Sequence, residues 1–200
     1  MKVTLVDYGA GNLPSVERAF RCLGAKTERV TEPEHLAGAA AIVLPGVGHF
    51  AALSRALVAQ RMFDPLQEAL ARGVPFLGIC LGMQALYEGS EEARGEPGLG
   101  FLPGMALRLS PETKLPHMGW NELKWIGHSV LLTEQTEFAH FYFAHSYAAP
   151  VSRETTAVCE HGREFAAIVE DENRYGVQFH PEKSGEAGLN LLKRFLEAAQ

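Results

Sequence analysis

One cysteine of this chain lies where a nucleophile would be expected. Cys80 follows the apolar run 76–79 and is bracketed by Gly78 and Gly82, in the pattern Gly-x-Cys-x-Gly. A buried strand that turns into a helix at such a segment holds its central residue in a strained conformation, and the glycines let strand and helix approach each other. The helix N-terminus stabilises the thiolate form of a cysteine. The helix dipole alone, however, contributes too little free energy to keep the thiol ionised at neutral pH. The pattern therefore predicts a cysteine nucleophile that needs a base from elsewhere in the chain.

The base is predicted near the C-terminus. His180 and Glu182 are separated only by Pro181 and follow the predicted strand 175–179. Side chains at i and i+2 share a face, so Glu182 can accept from one ring nitrogen of His180 while the other nitrogen takes the thiol proton. His-x-Glu also occurs at iron sites and in zinc deaminases, but no histidine follows His180 and Pro-Cys-x-x-Cys is missing from the sequence. We therefore expect a catalytic triad with no metal and no cofactor.

The other cysteines, the first glycine pair and the nucleophile motif itself have other interpretations. Cys22 and Cys159 have no glycine-bracketed turn around them and are predicted to be small buried hydrophobes. A glycine pair follows the first strand, but Pro14 occupies the third glycine position of a dinucleotide-binding loop. A cysteine peptidase or another thiol hydrolase on a similar sheet stays open, and ammonia release from glutamine would separate it from an amidotransferase.

The triad must be positioned by the strands and helices around it. Their pattern in the sequence predicts one α/β domain over residues 1–200. Predicted strands at 3–6, 26–30, 41–44 and 76–79 alternate with helical patterns, as in βαβ units. We expect a flavodoxin-like three-layer sandwich whose central, mostly parallel sheet gains an antiparallel or mixed portion in the C-terminal half. That portion includes a hairpin of strands 155–159 and 165–169, and a last helix ends near Ala198.

Two local expectations concern the connections. Asp64 is predicted to cap a helix, with Gln67 closing a capping box and Gly73 at the helix end. The segment 95–104 is crowded with glycine and proline, so we expect a surface excursion without a long regular element.

Composition narrows the class of partner. The chain has 200 residues, a formal net charge of −6 and no block of Lys or Arg, which disfavours nucleic acid and membrane surfaces. The N-terminal apolar run is broken by Thr4, so no signal peptide is predicted, and no run is long enough to span a membrane. Three cysteines without a Cys-x-x-Cys pair favour a reducing compartment. We expect a cytoplasmic protein that binds a small molecule or another protein.

The two motifs together resemble the class I (triad) glutamine amidotransferases over essentially the whole chain. They are Gly-Ile-Cys-Leu-Gly-Met-Gln at 78–84 and His-Pro-Glu at 180–182. The resemblance implies that Cys80 attacks the side-chain amide of glutamine, that His180 shuttles protons to release ammonia, and that water hydrolyses the glutamyl thioester. It also implies that Glu182 orients His180. Further site residues follow from it: the oxyanion donors are the N–H of Leu81 and one from the loop of Val47 and Gly48, and the glutamine site is lined by Gln84, Ser146 and Tyr147.

Three further stretches resemble one branch of that family, the glutaminases of imidazole glycerol phosphate synthase. They are Pro-Gly-Val-Gly-His-Phe at 45–50, Pro-His-Met-Gly-Trp-Asn at 116–121 and Lys183-Ser184. The resemblance implies a heterodimer with a (β/α)8-barrel cyclase subunit, with Trp120 and Lys183 near the interface. The cyclase would use the ammonia to make imidazole glycerol phosphate and an aminoimidazole carboxamide ribonucleotide in histidine biosynthesis, a lyase reaction of the complete complex. Another amidotransferase glutaminase is the alternative within the family.

Overall fold

The computed structural model describes residues 1–200, except the side chain of Gln135. Five α-helices are formed by Leu13–Cys22 (α1), Phe50–Ala59 (α2), Phe63–Ala71 (α3), Leu81–Gln84 (α4) and Gly185–Ala198 (α5). The strands of the first half are Lys2–Val6 (β1), Lys26–Val30 (β2), Ile42–Gly46 (β3), Phe76–Cys80 (β4), Tyr87–Ser90 (β5) and Leu102–Arg108 (β6). Those of the second half are His117–Glu122 (β7), Lys124–Trp125 (β8), His140–His145 (β9), Tyr147–Ala148 (β10), Thr155–Glu160 (β11), Glu164–Asp171 (β12) and Arg174–Val177 (β13).

The largest sheet has eight strands in the order β2-β1-β3-β4-β13-β12-β11-β8. Strands β2, β1, β3, β4 and β13 are parallel neighbours, whereas β12, β11 and β8 are added antiparallel. The order of the first four strands is that of flavodoxin-like sheets. The predicted α/β fold, with its antiparallel portion in the C-terminal half, is confirmed, as is the hairpin of β11 and β12.

Helices cover both faces of the parallel strands. On one face α1 and α5 meet, where the rings of Phe20 and Phe195 pack edge to face with centroids 6.4 Å apart. On the other face α2 and α3 pack, and Leu53 and Leu66 join the apolar cluster that contains Leu44 of β3. Strand β3 is buried along its whole length. This two-sided burial explains why the strand reads as a continuous apolar run in the sequence.

β13, the last strand in the sequence, brings the C-terminal motif beside Cys80. β13 lies parallel to β4, with Val177 opposite Ile79. Carboxyl ends of parallel strands meet at the same edge of a sheet, so the residues after β13 emerge where β4 ends. Residues about 100 positions apart in the chain thereby become neighbours.

Two smaller sheets flank this edge. β10, β6 and β5 form a three-stranded sheet, and β7 pairs with β9 in an antiparallel two-stranded sheet. In the two-stranded sheet His117 lies opposite His145, and Trp120 lies opposite Tyr142.

Three local predictions are wrong or incomplete. Helix α3 begins at Phe63, and no side chain caps it; Gln67 instead donates a hydrogen bond of 2.8 Å to the carbonyl of Leu99, so no capping box forms. Helix α2 was not predicted, because its apolar residues follow a glycine-rich loop that reads as irregular. In the segment 95–104, Leu99 and Leu102 are buried and β6 begins at Leu102, so part of the expected surface excursion belongs to the packed structure.

The glycines around Cys80 are required by close backbone approach. A Cβ added at Gly82 would lie 1.8 Å from the carbonyl oxygen of Leu44, and one at Gly78 would lie 2.4 Å from the carbonyl oxygen of Gly82. We expect Gly82→Ala to lower the free energy of unfolding by about 3 kcal/mol or more, because backbone of β3 would have to move. Chemical denaturation measures the change.

Gly38→Ala is the matched control. A Cβ at Gly38 would meet nothing within 4 Å, so the substitution is expected to change stability by less than about 0.5 kcal/mol. Equal effects of the two substitutions would show that the close approach at Gly82 does not matter.

Candidate active site

A cavity of about 410 Å³ opens at the carboxyl ends of β3, β4 and β13. The structure brings most of the sequence-predicted site residues to its walls: Val47, Gly48, Cys80, Leu81, Gln84, Ser146, Tyr147, His180 and Lys183. Glu182 lies behind His180, and Trp120 lies on the outer surface of β7. The cavity is thus the meeting point of the two motifs.

Cys80 occupies the junction between β4 and α4 in a strained conformation. Its backbone has φ 54° and ψ −105°, in the region that non-glycine residues rarely adopt. The residue is buried, yet it lines the cavity. The N–H of Leu81, at the first position of α4, lies outside the helical hydrogen-bond pattern. This geometry matches the nucleophile elbow expected from the bracketing glycines.

His180 is oriented by a buried carboxylate. Its Nδ1 lies 3.0 Å from Oε1 of Glu182, and the two side chains are 3% and 1% exposed. The same oxygen accepts a hydrogen bond of 3.3 Å from Nδ2 of Asn12. A carboxylate held on Nδ1 fixes that nitrogen as a donor, which leaves Nε2 as the nitrogen that can exchange a proton with Cys80.

The charge state of His180 follows from these neighbours. Burial on its own would lower the pKa of His180, but the interactions with Cys80 and Glu182 outweigh it and raise the pKa to about 10. His180 is therefore an imidazolium at neutral pH, next to the sulfur of Cys80. A thiolate with a neighbouring imidazolium combines a nucleophile with a proton donor for the leaving group.

A pair of glutamines connects the cysteine to the wall of the cavity. Nε2 of Gln178 lies 3.6 Å from Sγ of Cys80, and Oε1 of Gln178 accepts a hydrogen bond of 3.1 Å from Nε2 of Gln84. Nε2 of Gln84 also donates to the carbonyl of Tyr147 at 2.8 Å. Oε1 of Gln84 is buried and accepts no hydrogen bond from any group that the structure describes. Gln84 itself lines the cavity, and a buried acceptor without a partner calls for an explanation.

The loop after β3 presents one of its two candidate N–H groups. The N–H of Val47 donates to Oη of Tyr8 at 3.2 Å. Burial raises the pKa of Tyr8 to about 12, so the phenol stays protonated. Gly48, with φ +98°, lines the cavity beside Val47. Because the N–H of Val47 is used by Tyr8, the N–H of Gly48 is the remaining candidate donor of this loop.

The two predicted interface residues flank one tyrosine at the rim. Nζ of Lys183 lies 5.4 Å from the ring centroid of Tyr142, and the ring of Trp120 packs edge to face against the same tyrosine, with centroids 5.8 Å apart. Trp120 is 52% exposed and its neighbour Met118 is 64% exposed. An exposed aromatic and methionine beside a cavity mouth are typical of a protein-binding surface.

Sequence reasoning missed several residues of the site. Asn12 follows β1, and a polar residue after a parallel strand was a usable signal because such loops line the binding edge. Gln178 precedes His180 by two positions, so alternation along the extended segment also pointed to it. His145 and Tyr8 carried no comparable signal, because their roles depend on how separate strands pack.

The other two cysteines differ from each other. Cys159 is buried as predicted, and burial raises the pKa of its thiol to about 11. Cys22 is exposed at the end of α1, so its predicted burial is wrong. Cys22 is the last residue of α1 and lies off the buried face that contains Leu13, Val16 and Phe20. Neither thiol lines the cavity that contains Cys80.

The buried pair of His117 and His145 predicts a loss of stability in acid. Burial, with the neighbouring histidines, lowers the pKa of His145 to about 3 and that of His117 to about 4. An unfolded imidazole titrates near pH 6.5, so between about pH 6.5 and pH 4 the unfolded chain binds protons that the folded chain does not. The free energy of unfolding should fall as pH falls, by up to about 2.7 kcal/mol per pH unit for two groups. Urea titrations across this range measure the slope.

Substitution separates the contribution of the two histidines to the pH dependence of the free energy of unfolding from that of other groups. The double variant His117→Phe, His145→Phe should show a shallower slope, since its core has no imidazole to protonate. His35→Asn, at an exposed position, should keep the wild-type slope. Identical slopes in all three proteins would mean that carboxylates alone cause the acid sensitivity.

The described residues also bear on the metal and membrane predictions. Among the side chains that the structure describes, no group of three or more His, Cys, Asp or Glu is arranged to hold a metal ion. Within the described chain, no helix has both the length and the apolar character needed to cross a membrane.

Sequence comparisons link the chain to known proteins. The family model "Glutamine amidotransferase class-I" matches residues 4–199. The chain is 45% identical over 196 residues to imidazole glycerol phosphate synthase subunit HisH of Methanothermobacter thermautotrophicus, covering 98% of each protein. It is 46% identical over 198 residues to the subunit of the same name from Xylella fastidiosa, covering 98% of this chain and 97% of that protein.

Solved structures share the fold at lower identity. A crystal structure described as a glutamine amidotransferase aligns with a TM-score of 0.79 at 20% identity, covering 98% of both chains. The structure of PurLQS from Thermotoga maritima aligns with a TM-score of 0.77 at 20% identity, covering 100% of this chain and 99% of that one. At this identity the likeness shows the fold alone.

Proposed function

The chain belongs to the class I glutamine amidotransferase family, and we propose that it is the glutaminase subunit of an imidazole glycerol phosphate synthase. The observation that carries the chemistry is the arrangement of Cys80, His180 and Glu182 around the cavity. The observation that supports the pathway is the identity of 45% to 46% to HisH subunits over nearly the full length of both proteins.

The first half of the reaction releases ammonia. The thiolate of Cys80 attacks the side-chain carbonyl carbon of glutamine, and the carbonyl oxygen becomes an oxyanion held by the N–H groups of Leu81 and Gly48. When this intermediate collapses, the carbon–nitrogen bond breaks. His180 gives its proton from Nε2 to the leaving nitrogen, and a γ-glutamyl thioester remains on Cys80.

The second half regenerates the enzyme. Neutral His180 takes a proton from water, and the resulting hydroxide attacks the thioester carbon. The carbon–sulfur bond breaks, glutamate leaves, and the thiolate of Cys80 is again paired with the imidazolium. Glu182 keeps the same ring nitrogen protonated throughout, which is why a carboxylate with 1% side-chain exposure is retained at this position.

Binding of glutamine uses the walls of the same cavity. Oε1 of Gln84, which is buried and accepts no hydrogen bond from the described residues, takes a donor from the substrate. Ser146 and Tyr147 line the same cavity, and the carbonyl of Tyr147 accepts from Nε2 of Gln84. A buried acceptor without a partner becomes satisfied only when substrate is bound, so it favours an amide donor over an apolar group of the same size.

The ammonia requires a receiver. At neutral pH free ammonia is mostly protonated and is then no nucleophile, so it must pass to its acceptor in shelter from water. We infer that the receiver is a (β/α)8-barrel cyclase subunit in a heterodimer, which docks on the surface formed by Met118, Trp120 and Lys183. The complete complex then makes imidazole glycerol phosphate and an aminoimidazole carboxamide ribonucleotide.

Two broader assignments accompany this function. Residues 1–200 act as one catalytic domain, in line with the family match over 4–199. The location is cytoplasmic, as expected for a biosynthetic subunit whose three cysteines are all thiols.

The test combines the full chain with a cyclase subunit of imidazole glycerol phosphate synthase and its nucleotide substrate. Glutamate formation should be low for the chain alone and rise by about tenfold or more in the complex, the size of an ordinary coupling between sites. If the two proteins form no complex by size-exclusion chromatography, the pathway assignment fails while the glutaminase chemistry can stand. If glutamine is not hydrolysed under any condition but a thioester or peptide substrate is, the chain is a thiol hydrolase.

A further inference from the structure

A chain of hydrogen bonds runs from the two-stranded sheet of β7 and β9 to the wall of the cavity. Nδ2 of Asn121 lies 3.1 Å from Nε2 of His117, and Nδ1 of His117 lies 3.0 Å from Nε2 of His145. Nδ1 of His145 in turn lies 2.9 Å from the carbonyl oxygen of Tyr147. Both histidines are buried, with 4% and 6% exposure. Four groups from the three strands β7, β9 and β10 are therefore joined in one line.

Only one placement of protons satisfies all three contacts. A carbonyl oxygen accepts and cannot donate, so Nδ1 of His145 carries the proton. Nε2 of a neutral His145 then accepts from Nδ1 of His117, and Nε2 of His117 accepts from the amide of Asn121. All donors point towards the cavity. Burial lowers the pKa of both imidazoles far below neutrality, which agrees with two neutral rings.

The chain of hydrogen bonds ends at the carbonyl of Tyr147, which is also bonded to Gln84. The carbonyl oxygen of Tyr147 accepts from Nε2 of Gln84 as well as from Nδ1 of His145. The other proton on Nε2 of Gln84 goes to Oε1 of Gln178, so both amide protons are used. The carboxamide of Gln84 is therefore fixed with its oxygen as the atom that receives a substrate donor.

We propose that His117 and His145 are positioning residues, which hold the carbonyl of Tyr147 so that Gln84 presents its oxygen to the substrate glutamine. The inference rests on the proposed function and adds two residues to the site. His145 is not a second catalytic base, because both of its ring nitrogens are occupied. The two histidines instead fix the orientation of the Gln84 carboxamide, and thereby the polarity of this wall of the cavity.

The position of His117 connects this line to the outer surface. Along β7 the residues alternate, so that His117 is buried while Met118 and Trp120 are exposed. His117 is stacked between the rings of Phe143 and His161, with centroids 4.8 Å and 4.3 Å away. The strand that carries the proposed docking surface thus also carries the start of the positioning line, and little room exists for His117 to turn independently of it.

The first experiment reads the proton positions in the intact chain. Nitrogen-15 NMR of the histidine side chains at neutral pH should show His117 and His145 neutral and protonated on Nδ1, the less common tautomer. A proton on Nε2 of His145, or an imidazolium at either position, would overturn the proposal. This measurement does not depend on activity, so it separates a failure of the positioning line from a failure of the proposed function.

The second experiment uses variants at His145 in complex with the cyclase subunit. In His145→Asn the amide nitrogen can take the place of Nδ1 and still donate to the carbonyl of Tyr147. In His145→Gln the polar end lies at the position of Nε2 and this donor is lost, and His145→Phe loses it while keeping the ring volume. We expect the KM for glutamine to rise about tenfold in the Gln and Phe variants, the size of one lost hydrogen bond, with kcat within about threefold of wild type.

His145→Asn should keep a KM within about threefold of wild type, again less than one hydrogen bond. Cyclase activity with added ammonia should be unchanged in every variant, which controls for folding and assembly. Should His145→Phe fail to fold, the comparison of the Gln and Asn variants decides the matter. Equal KM values in those two variants, or a fall in kcat without any rise in KM, would contradict a positioning role.

Discussion

Replacing Cys80 with alanine is expected to remove glutamine hydrolysis almost completely. Loss of a covalent nucleophile that works with a base costs about 10⁴-fold or more in kcat, because no other group forms the acyl intermediate. Cys80 is the only one of the three cysteines that lines the described cavity. Glutamate formation by the complex of Cys80→Ala with the cyclase subunit measures the loss.

Two controls make this prediction specific. Cys22→Ala changes an exposed thiol outside the cavity and should leave the rate within about twofold of wild type, since surface substitutions rarely matter. The Cys80→Ala complex should still use added ammonium salts for the cyclase reaction, because the damage is confined to ammonia production. If Cys80→Ala retained partner-stimulated ammonia release, the covalent mechanism would be wrong.

Replacing His180 with asparagine is expected to lower kcat/KM by about 10³-fold or more, the upper part of the range for a general acid and base. The interactions with Cys80 and Glu182 raise the pKa of His180 to about 10, so the wild-type imidazolium carries a proton for the leaving group at neutral pH. Asparagine preserves a hydrogen-bond donor near Glu182 but cannot exchange a proton. Steady-state kinetics of the complex, measured at several pH values, give the loss.

The matched control is His35→Asn, at an exposed position remote from the cavity. It makes the same chemical change and should have wild-type kinetics. The residual activity of His180→Asn should rise with pH, because a cysteine without its base must lose its proton to water. Residual activity above about a tenth of wild type, more than loss of a general base allows, would mean that another group is the base.

The fold was predictable from the sequence wherever a strand is buried on both faces. Strand β3 is buried on both faces and reads as a continuous apolar run, which sequence patterns identify well. Helix α2 was missed because it follows directly on the glycine-rich loop after β3, where breaker residues outweigh the apolar pattern. The capping box of Asp64 and Gln67 does not form because α3 begins at Phe63, which places Asp64 inside the first turn and leaves Gln67 free to bond Leu99. Local rules set the start of a helix only to within a few residues.

The site was predictable to the extent that its chemistry depends on motif spacing. Cys80, His180 and Glu182 follow from residue type and local order, and sheet topology then brings them together. His117 and His145 were not predictable, because they are 28 residues apart and meet only through the pairing of β7 and β9. Their contact depends on strand register, which a single sequence does not specify.

The most direct test of the mechanism is to trap the acyl enzyme. The complex is incubated with glutamine, quenched in acid, digested and analysed by mass spectrometry. The peptide that contains Cys80 should carry one γ-glutamyl group, and this adduct should accumulate in wild type but not in Cys80→Ala. Release of ammonia with no adduct on Cys80, or an adduct on Cys22 or Cys159 instead, would contradict the assignment of Cys80 as the nucleophile.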